Sequence, residues 1–472
     1  MNRPLGNYER FSISRTLVGV PPALSFVANL PPQAAAPSSD AILRAISTLL
    51  TRYPLLSCAI SDVRTTTPRF VQRAYSAEEV FDGTAIGGPS TTEEALLLGL
   101  EVAGKIDMEV GPLWRVLLVA GARSGAVEGE EGATLILAVN HTVSDGAGTK
   151  ALLGELYSLI LEPDISGKAF PGAIELAPSL EATIDVRPPL RLLLAEVFSE
   201  LVLPRLPFFL QPTPVAPLFP TPLSPPYKHS TALRLATFPA ELLIALKVAG
   251  AAHSIPTLQP IFHTCLLAAI VHAASTLPSP CLIKTGTPIS LRSTTLGHPT
   301  ATGNYISSLA SSYSSLSPTS KFWTLCTDYA KRLIDPTERA NALGGMGMLA
   351  YIPDGVSGDE TGWETFLRGK MAAEQPWSAS AGLSNLGVLD LGAERERVKV
   401  AWAQAAPSFG PAFEFNAISA KGGNFTVTLV WRDQAIADEV VDKLWTAFGT
   451  ALRNVAVARE ADLQLGELLT VL

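Results

Sequence analysis

One segment of the sequence has residue types and spacing suited to proton transfer. Thr134 to Asn140 is followed without interruption by His141-Thr142-Val143-Ser144-Asp145-Gly146-Ala147-Gly148. The first seven residues read as a buried strand, and the chain leaves that strand directly into H-x-x-x-D-G and then a helix. With six histidines in the chain, such a pattern arises by chance only about 0.02 times in a sequence of this length. A histidine at a strand end is held rigidly and faces the space above the sheet, as a general base requires. Asp145 begins a tight turn in the position of a helix N-cap, so the spacing favours a structural Asp over a second base. Gly146 and Gly148 permit backbone angles or close approaches denied to other residues. The plain alternative is an ordinary strand-turn-helix with a capping Asp and a surface His.

The elements that would hold this segment are legible on both sides of it. Ala41 to Thr51 reads as an amphipathic helix, Leu113 to Ala120 as a strand and Ala133 to Asn140 as the buried strand. Leu152, Leu153, Leu156, Leu159 and Ile160 form the apolar face of the helix that follows. Downstream, Ala240 to Ala251, Ile261 to Ser275 and Ile436 to Arg453 have helical patterning. Cys281 to Pro288, Val398 to Ala403, Phe413 to Ser419 and Phe425 to Trp431 read as strands. Between the halves, prolines from Pro188-Pro189 to Pro225-Pro226 punctuate an apolar crossover. Within it Leu190, Leu193, Leu194, Val197, Phe198, Leu201 and Val202 form a stripe expected to dock on the body of the protein, a membrane surface being the alternative. The predicted fold class is therefore α/β. Residues 1–185 form an N-terminal lobe, 186–228 the crossover and 229–472 a C-terminal lobe, in keeping with ~100 to 200 residues per domain.

Composition narrows the function. Apolar residues make up 47% and charged residues 17% of the 472, which excludes a disordered chain. The net charge of -8 and the lack of a dense Lys/Arg run remove the electrostatic footprint of nucleic-acid binding. Cys58, Cys265, Cys281 and Cys326 are scattered, so free thiols are expected rather than a disulfide framework or a zinc ribbon. The N-terminal residues lack an apolar signal core, and charges and prolines interrupt Leu190 to Leu210, so neither secretion nor a membrane-spanning helix is predicted. G-x-S-x-G, G-x-x-x-x-G-K-[ST] and H-E-x-x-H are all missing. Gly345-Met346-Gly347-Met348-Leu349-Ala350 matches G-x-G-x-x-A in form, but it follows a polar stretch instead of a strand and reads as a glycine-rich loop. His263 and His272 lie on an apolar helix and read as satisfied structural histidines. No metal site is predicted.

At the H-x-x-x-D-G segment the sequence resembles the CoA-dependent acyltransferase superfamily. That superfamily includes chloramphenicol acetyltransferase, plant BAHD acyltransferases and nonribosomal-peptide condensation domains, and the likeness is strongest to the fungal alcohol acetyltransferase family. Further pieces carry it in order: Arg3 to Arg10, Tyr53-Pro54-Leu55-Leu56, Pro112-Leu113-Trp114-Arg115, Pro288 to Arg292, Gly303-Asn304-Tyr305 and Leu383-Ser384-Asn385-Leu386-Gly387. The D-F-G-W-G motif of the plant enzymes is missing.

The resemblance implies two chloramphenicol-acetyltransferase-like lobes, each a mixed sheet with helices, enclosing an interlobe tunnel. His141 would take a proton from an acceptor hydroxyl as its oxygen attacks an acyl-CoA thioester, and no covalent acyl-enzyme is needed. Asp145 would pair with a distant arginine, for which Arg292 is the candidate, orienting the loop. Ser384 and Asn385 have side chains suited to an oxyanion or a substrate, although turn chemistry explains them equally well. Lys284 and Lys421 are candidates for CoA phosphates, with solvated surface the ordinary alternative. The expected co-substrate is acyl-CoA, most simply acetyl-CoA, with no tightly bound cofactor. The expected partner is a small hydrophobic alcohol, acted on by a cytoplasmic monomer with optional peripheral membrane contact. An amine acceptor and a non-transferase binding or condensation-like module are the alternatives.

Overall fold

The computed structural model describes residues 1–30, 37–85, 89–119, 133–161, 175–207, 230–274, 282–292, 302–373, 376–391, 398–458 and 461–470. The strands that matter to the site are β1 (Ala23–Asn29), β2 (Phe81–Ala85), β3 (Trp114–Val119), β4 (Thr134–Asn140), β5 (Thr231–Phe238), β6 (Ile283–Ser290), β7 (Ile306–Tyr313), β8 (Trp377–Leu389), β9 (Val400–Gln404), β10 (Gly410–Ala420) and β11 (Phe425–Arg432). The main helices are α1 (Asn7–Leu17), α2 (Ser39–Arg52), α3 (Thr92–Gly104), α4 (Gly146–Leu161), α5 (Leu190–Leu201), α6 (Ala240–Ala252), α7 (Gln259–Ala273), α8 (Pro336–Gly347), α9 (Gly362–Ala372) and α10 (Asp438–Ala458).

The two expected α/β lobes are present, each built on a mixed sheet. The N-terminal sheet has the order β9-β1-β4-β3-β2, antiparallel except for the β2/β3 pair. The C-terminal sheet runs β7-β6-β8-β10-β11-β5, with β8 parallel to both β6 and β10. Strand β9 lies late in the sequence yet forms an edge of the N-terminal sheet, pairing Trp402 with Phe26. It also bonds across to the other lobe, where the Thr426 and Thr428 hydroxyls donate to the Val400 and Trp402 carbonyls at 2.7 and 2.8 Å.

Strand β4 is apolar at nearly every position because both of its faces are covered. Leu135, Leu137 and Val139 join the core beneath α2 and α4, while Ile136 and Ala138 meet α3 on the other side. Helix α3, T-E-E-A-L-L-L-G-L-E-V-A-G, shows no one-sided stripe in the sequence, and the structure supplies the reason. It is clasped between the N-terminal sheet and Leu233 and Leu235 of β5, and Glu93 accepts from the Leu235 amide at 2.8 Å. Gly99 lets this helix approach β1, since a Cβ there would collide with Ser25. Lobe contact is therefore made of packed core as well as hydrogen bonds, which fixes the cleft between the lobes.

Four expectations change. Gly344 to Gly347 form the last turn of α8 instead of a loop, and Gly347 is required because a Cβ would strike the Val186 carbonyl. His272 is exposed on α7, whereas His263 is buried, bonds to the Thr285 hydroxyl at 2.9 Å and stacks on Tyr329. Leu383 to Gly387 belong to β8, with a bulge between Asn385 and Val388 and Gly387 at φ 66°. The α5 stripe does not dock: Leu190, Leu194, Val197 and Phe198 are exposed, because the chain meets the body chiefly where Pro188 and Pro189 pack on Gly344. Residues 208–229 of the crossover, and Cys281, lie outside the described residues. Among the described residues no helix is long and apolar enough to cross a membrane.

Candidate active site

His141 sits where β4 ends, and its backbone amide is held by the Pro22 carbonyl at 2.7 Å. Its side chain is buried at 7% exposure. Nδ1 lies 3.0 Å from Asn304 Oδ1. The amide orientation of Asn304 follows from its other bond, in which Nδ2 donates to the Thr142 carbonyl at 2.8 Å. Oδ1 is then an acceptor, so Nδ1 carries the proton and Nε2 keeps a free lone pair. Nε2 points toward the hydroxyl of Tyr8 on α1, 3.4 Å away. Burial pushes the Tyr8 phenol up to about 12, so the hydroxyl stays protonated and donates to the imidazole. Burial also lowers the His141 pKa, against the field of Asp145, which raises it. The imidazole is thus kept neutral, the form a base needs.

Asp145 does the positioning. Its Oδ1 accepts from the Gly148 amide at 2.9 Å, capping α4. Its Oδ2 accepts from the Tyr305 amide at 2.9 Å and from the Arg292 guanidinium. Arg292 also donates to the Gly303 carbonyl at 2.8 Å, and Gly303 exchanges backbone bonds with Val143 and Asp145. The loop after β4 and the strand-leading segment 303–305 are therefore knotted together through one carboxylate, and that knot delivers Asn304 to His141. Gly146 opens α4 without a positive φ; its role is space, a Cβ there standing 3.3 Å from Leu386.

A cavity of about 260 Å³ lies between the lobes against His141. Asp145, Gly146 and Lys150 line it from one lobe, and Ser290, Ser384 and Asn385 from the other. Lys150 donates to the Leu386 and Val388 carbonyls at 2.6 and 3.2 Å, tying α4 to β8. Asn385 uses Oδ1 to accept from the Gly387 amide at 2.9 Å, so turn chemistry occupies half of its amide, and Nδ2 makes no hydrogen bond among the described residues. Asn385 and Gly387 also border a second cavity of about 600 Å³, lined by Lys247, Ser254 and Gln259 where α6 hands over to α7. Asn385 is thus common to the linings of both cavities.

Of the candidates from the sequence, His141, Asp145, Gly146, Arg292, Ser384 and Asn385 are brought together. Lys284 and Lys421 are not: Lys284 on β6, cross-strand from Ser312, is not among the residues lining the His141 cavity, and Lys421 pairs with Asp390 at 2.7 Å on the surface. Sequence reasoning missed Tyr8 and Asn304. Both stood inside quoted segments, but nothing local to either signals a contact with a residue 133 or 163 positions away. Among the described residues no group of His, Cys, Asp or Glu could hold a metal ion.

The sequence matches no family profile and no curated protein. Solved structures do match it along nearly its whole length. The condensation domain of the Monacolin K polyketide synthase MokA is 10% identical, with 98% of this chain and 99% of that one aligned at a TM-score of 0.63. The epimerization domain from the third module of tyrocidine synthetase B is 12% identical over 98% of both chains, with a TM-score of 0.64. TRI3 trichothecene 15-O-acetyltransferase from Fusarium sporotrichioides is 12% identical over 96% of this chain and 94% of that one, with a TM-score of 0.65. This chain has their fold. At such identities the likeness speaks for the architecture, and the chemistry rests on the side chains described above.

Proposed function

We propose that the protein is an acyl-CoA-dependent O-acyltransferase that moves an acetyl group from acetyl-CoA to the hydroxyl of a hydrophobic alcohol. The observation that carries this reading is a neutral, buried His141 whose Nδ1 is committed to Asn304 and whose Nε2 faces an interlobe cavity. An acceptor hydroxyl taking the place of the Tyr8 hydroxyl at Nε2 loses its proton there as its oxygen attacks the thioester carbonyl. The C–S bond then breaks, and the proton returns from Nε2 to the CoA thiolate. Ser384 and the unbonded Nδ2 of Asn385 are the donors best located for the developing oxyanion. Lys247 in the second cavity is the cation best suited to CoA phosphate, since that cavity shares Asn385 with the His141 site. The acetyltransferase among the structural neighbours and the H-x-x-x-D-G segment support the same chemistry.

Two results are expected. Burial lowers the His141 pKa, and the base works only when neutral, so kcat/KM should stay level as pH falls to ~6.5 and decline only below that value. A pH profile with its acid limb centred above 6.5 would contradict this assignment. Initial velocities with both substrates varied should give intersecting double-reciprocal lines, the pattern of direct transfer. Burial pushes the thiol of Cys58 up to about 12 and also raises those of Cys265 and Cys326, so none of the three is an activated nucleophile. Parallel lines with a trapped acyl-cysteine would overturn direct transfer.

A further inference from the structure

Two ionisable side chains near His141 take no part in the chemistry above. Arg15 lies seven residues after Tyr8 on α1, two turns along the same helical face, so it follows Tyr8 by about 10 Å along the helix axis. Glu414 approaches from the other lobe. It is the register partner of Gly382 on β8, and its carboxylate fills the space where a Gly382 Cβ would stand. Ala381 and Leu383 point into the C-terminal core, so Gly382 and Ser384 share the opposite face, toward the cleft. Glu414 is therefore cross-strand from Gly382, two strand residues from Ser384, and Ser384 lines the His141 cavity.

Neither group has found a partner. Arg15 makes no hydrogen bond among the described residues, and its Nε is buried and unpaired; Glu414 Oε2 is buried and unpaired as well. Both residues nonetheless keep some accessible surface. They are close enough to influence each other. Burial pushes the Glu414 carboxyl up to about 8 while Arg15 acts against it, and Arg15 also lowers the pKa of His141. Buried hydrogen-bonding groups left unanswered are costly, and a polar group entering the cleft would recover that cost.

We propose that Arg15 and Glu414 form a polar subsite of the acceptor channel that binds a second hydroxyl of the acceptor, about 10 Å from the reacting one. The assignment of the ligand as an acceptor rests on the acyl-transfer reading. A hydroxyl is the group of choice because it accepts from a guanidinium and can both donate to and accept from a carboxyl, the form that burial favours for Glu414. An ammonium would be opposed by Arg15, and a ligand carboxylate would meet the same desolvation that pushes Glu414 up. The acceptor is then an apolar molecule oxygenated at two separated positions, rather than a simple monofunctional alcohol.

Calorimetric titration of 1-octanol and 1,8-octanediol into the full chain, without acyl donor, tests the subsite. The diol's extended chain suits the separation, and its two equivalent ends give it a twofold statistical advantage. The wild type should bind the diol at least about tenfold more tightly than octanol. In Arg15→Met and in Glu414→Leu, which removes the hydrogen-bonding carboxyl, that advantage should fall to about twofold. A wild-type ratio of two or less, no binding of the diol, or a tenfold preference kept by both folded variants would overturn the subsite. Turnover with acetyl-CoA separates the two readings. Preferential diol binding with neither alcohol acetylated would leave the subsite standing and remove the acyl-transfer reading. Equal binding with both alcohols acetylated would do the opposite.

Discussion

Replacing His141 with alanine should lower turnover by a hundredfold or more while leaving the protein folded. The size follows from its place in the cleft. A general base contributes typically ~10² to 10⁴, and among the described residues the other titratable groups nearby are poor substitutes. Tyr8 has a phenol held protonated to about 12, and Asp145 spends its two oxygens on Gly148, Tyr305 and Arg292. The fold should survive because the imidazole's polar contacts are one bond to Asn304 and one to Tyr8, and Asn304 keeps its anchor on Thr142. Turnover measured at saturating acetyl-CoA, with the far-ultraviolet circular dichroism spectrum as the control for folding, checks both halves. Near-normal turnover in a folded variant would remove His141 from the chemistry.

Asp145→Ala should instead be a stability mutation, with loss of activity as its consequence. The carboxylate is 1% exposed and its partner Arg292 is 12% exposed, so removal takes the counter-charge from a mostly buried guanidinium, and breaking a buried pair typically costs ~3 to 5 kcal/mol. Loss of the α4 cap adds about 1 kcal/mol, and the Tyr305 amide loses its acceptor. For a protein of ordinary stability, about 5 to 15 kcal/mol, such a loss lowers soluble yield and the denaturation midpoint visibly. Arg292→Lys should also be harmful, because one guanidinium serves both Asp145 and the Gly303 carbonyl and an ammonium cannot reproduce that fork. A double-mutant cycle at 145 and 292, read by urea unfolding, should give a coupling of at least ~0.5 kcal/mol. Additive effects would separate the two residues energetically.

The sequence disclosed the part of the site that is local. His141, Asp145 and Gly146 lie in one strand-turn-helix whose apolar run and glycines are readable in the fifteen residues from Thr134 to Gly148. Arg292, 147 positions away, was reachable only through the resemblance of Pro288 to Arg292 to a known motif. Contacts made by distant elements left no comparable trace. Tyr8 reaches His141 because α1 lies across the cleft, and Asn304 reaches it because Gly303 is stitched to Val143. The same limit applied to the fold. Strand β9, Val-Ala-Trp-Ala-Gln, is apolar and buried along nearly its whole length, and nothing in it says that it joins the sheet of the opposite lobe. Helix α3 is apolar around most of its circumference, with Glu94 and Glu101 exposed, because two lobes cover it, which blurs the stripe by which a helix is usually found. The lysines fared worst, since a lysine's sequence neighbours carry little information about whether it meets a ligand, a carboxylate such as Asp390 or solvent.

The central claim is that His141 in this cleft drives transfer of an acyl group from acyl-CoA to a hydroxyl. Its most direct test is mass spectrometry of the protein incubated with acetyl-CoA and a panel of hydrophobic alcohols, including an α,ω-diol, with His141→Ala run in parallel. An acetate ester that accumulates in step with free CoA in the wild type, and at one hundredth of that rate or less in the variant, is the predicted result. Absence of any ester across the panel, CoA release with only acetate as product, or equal ester formation by the folded variant would contradict it.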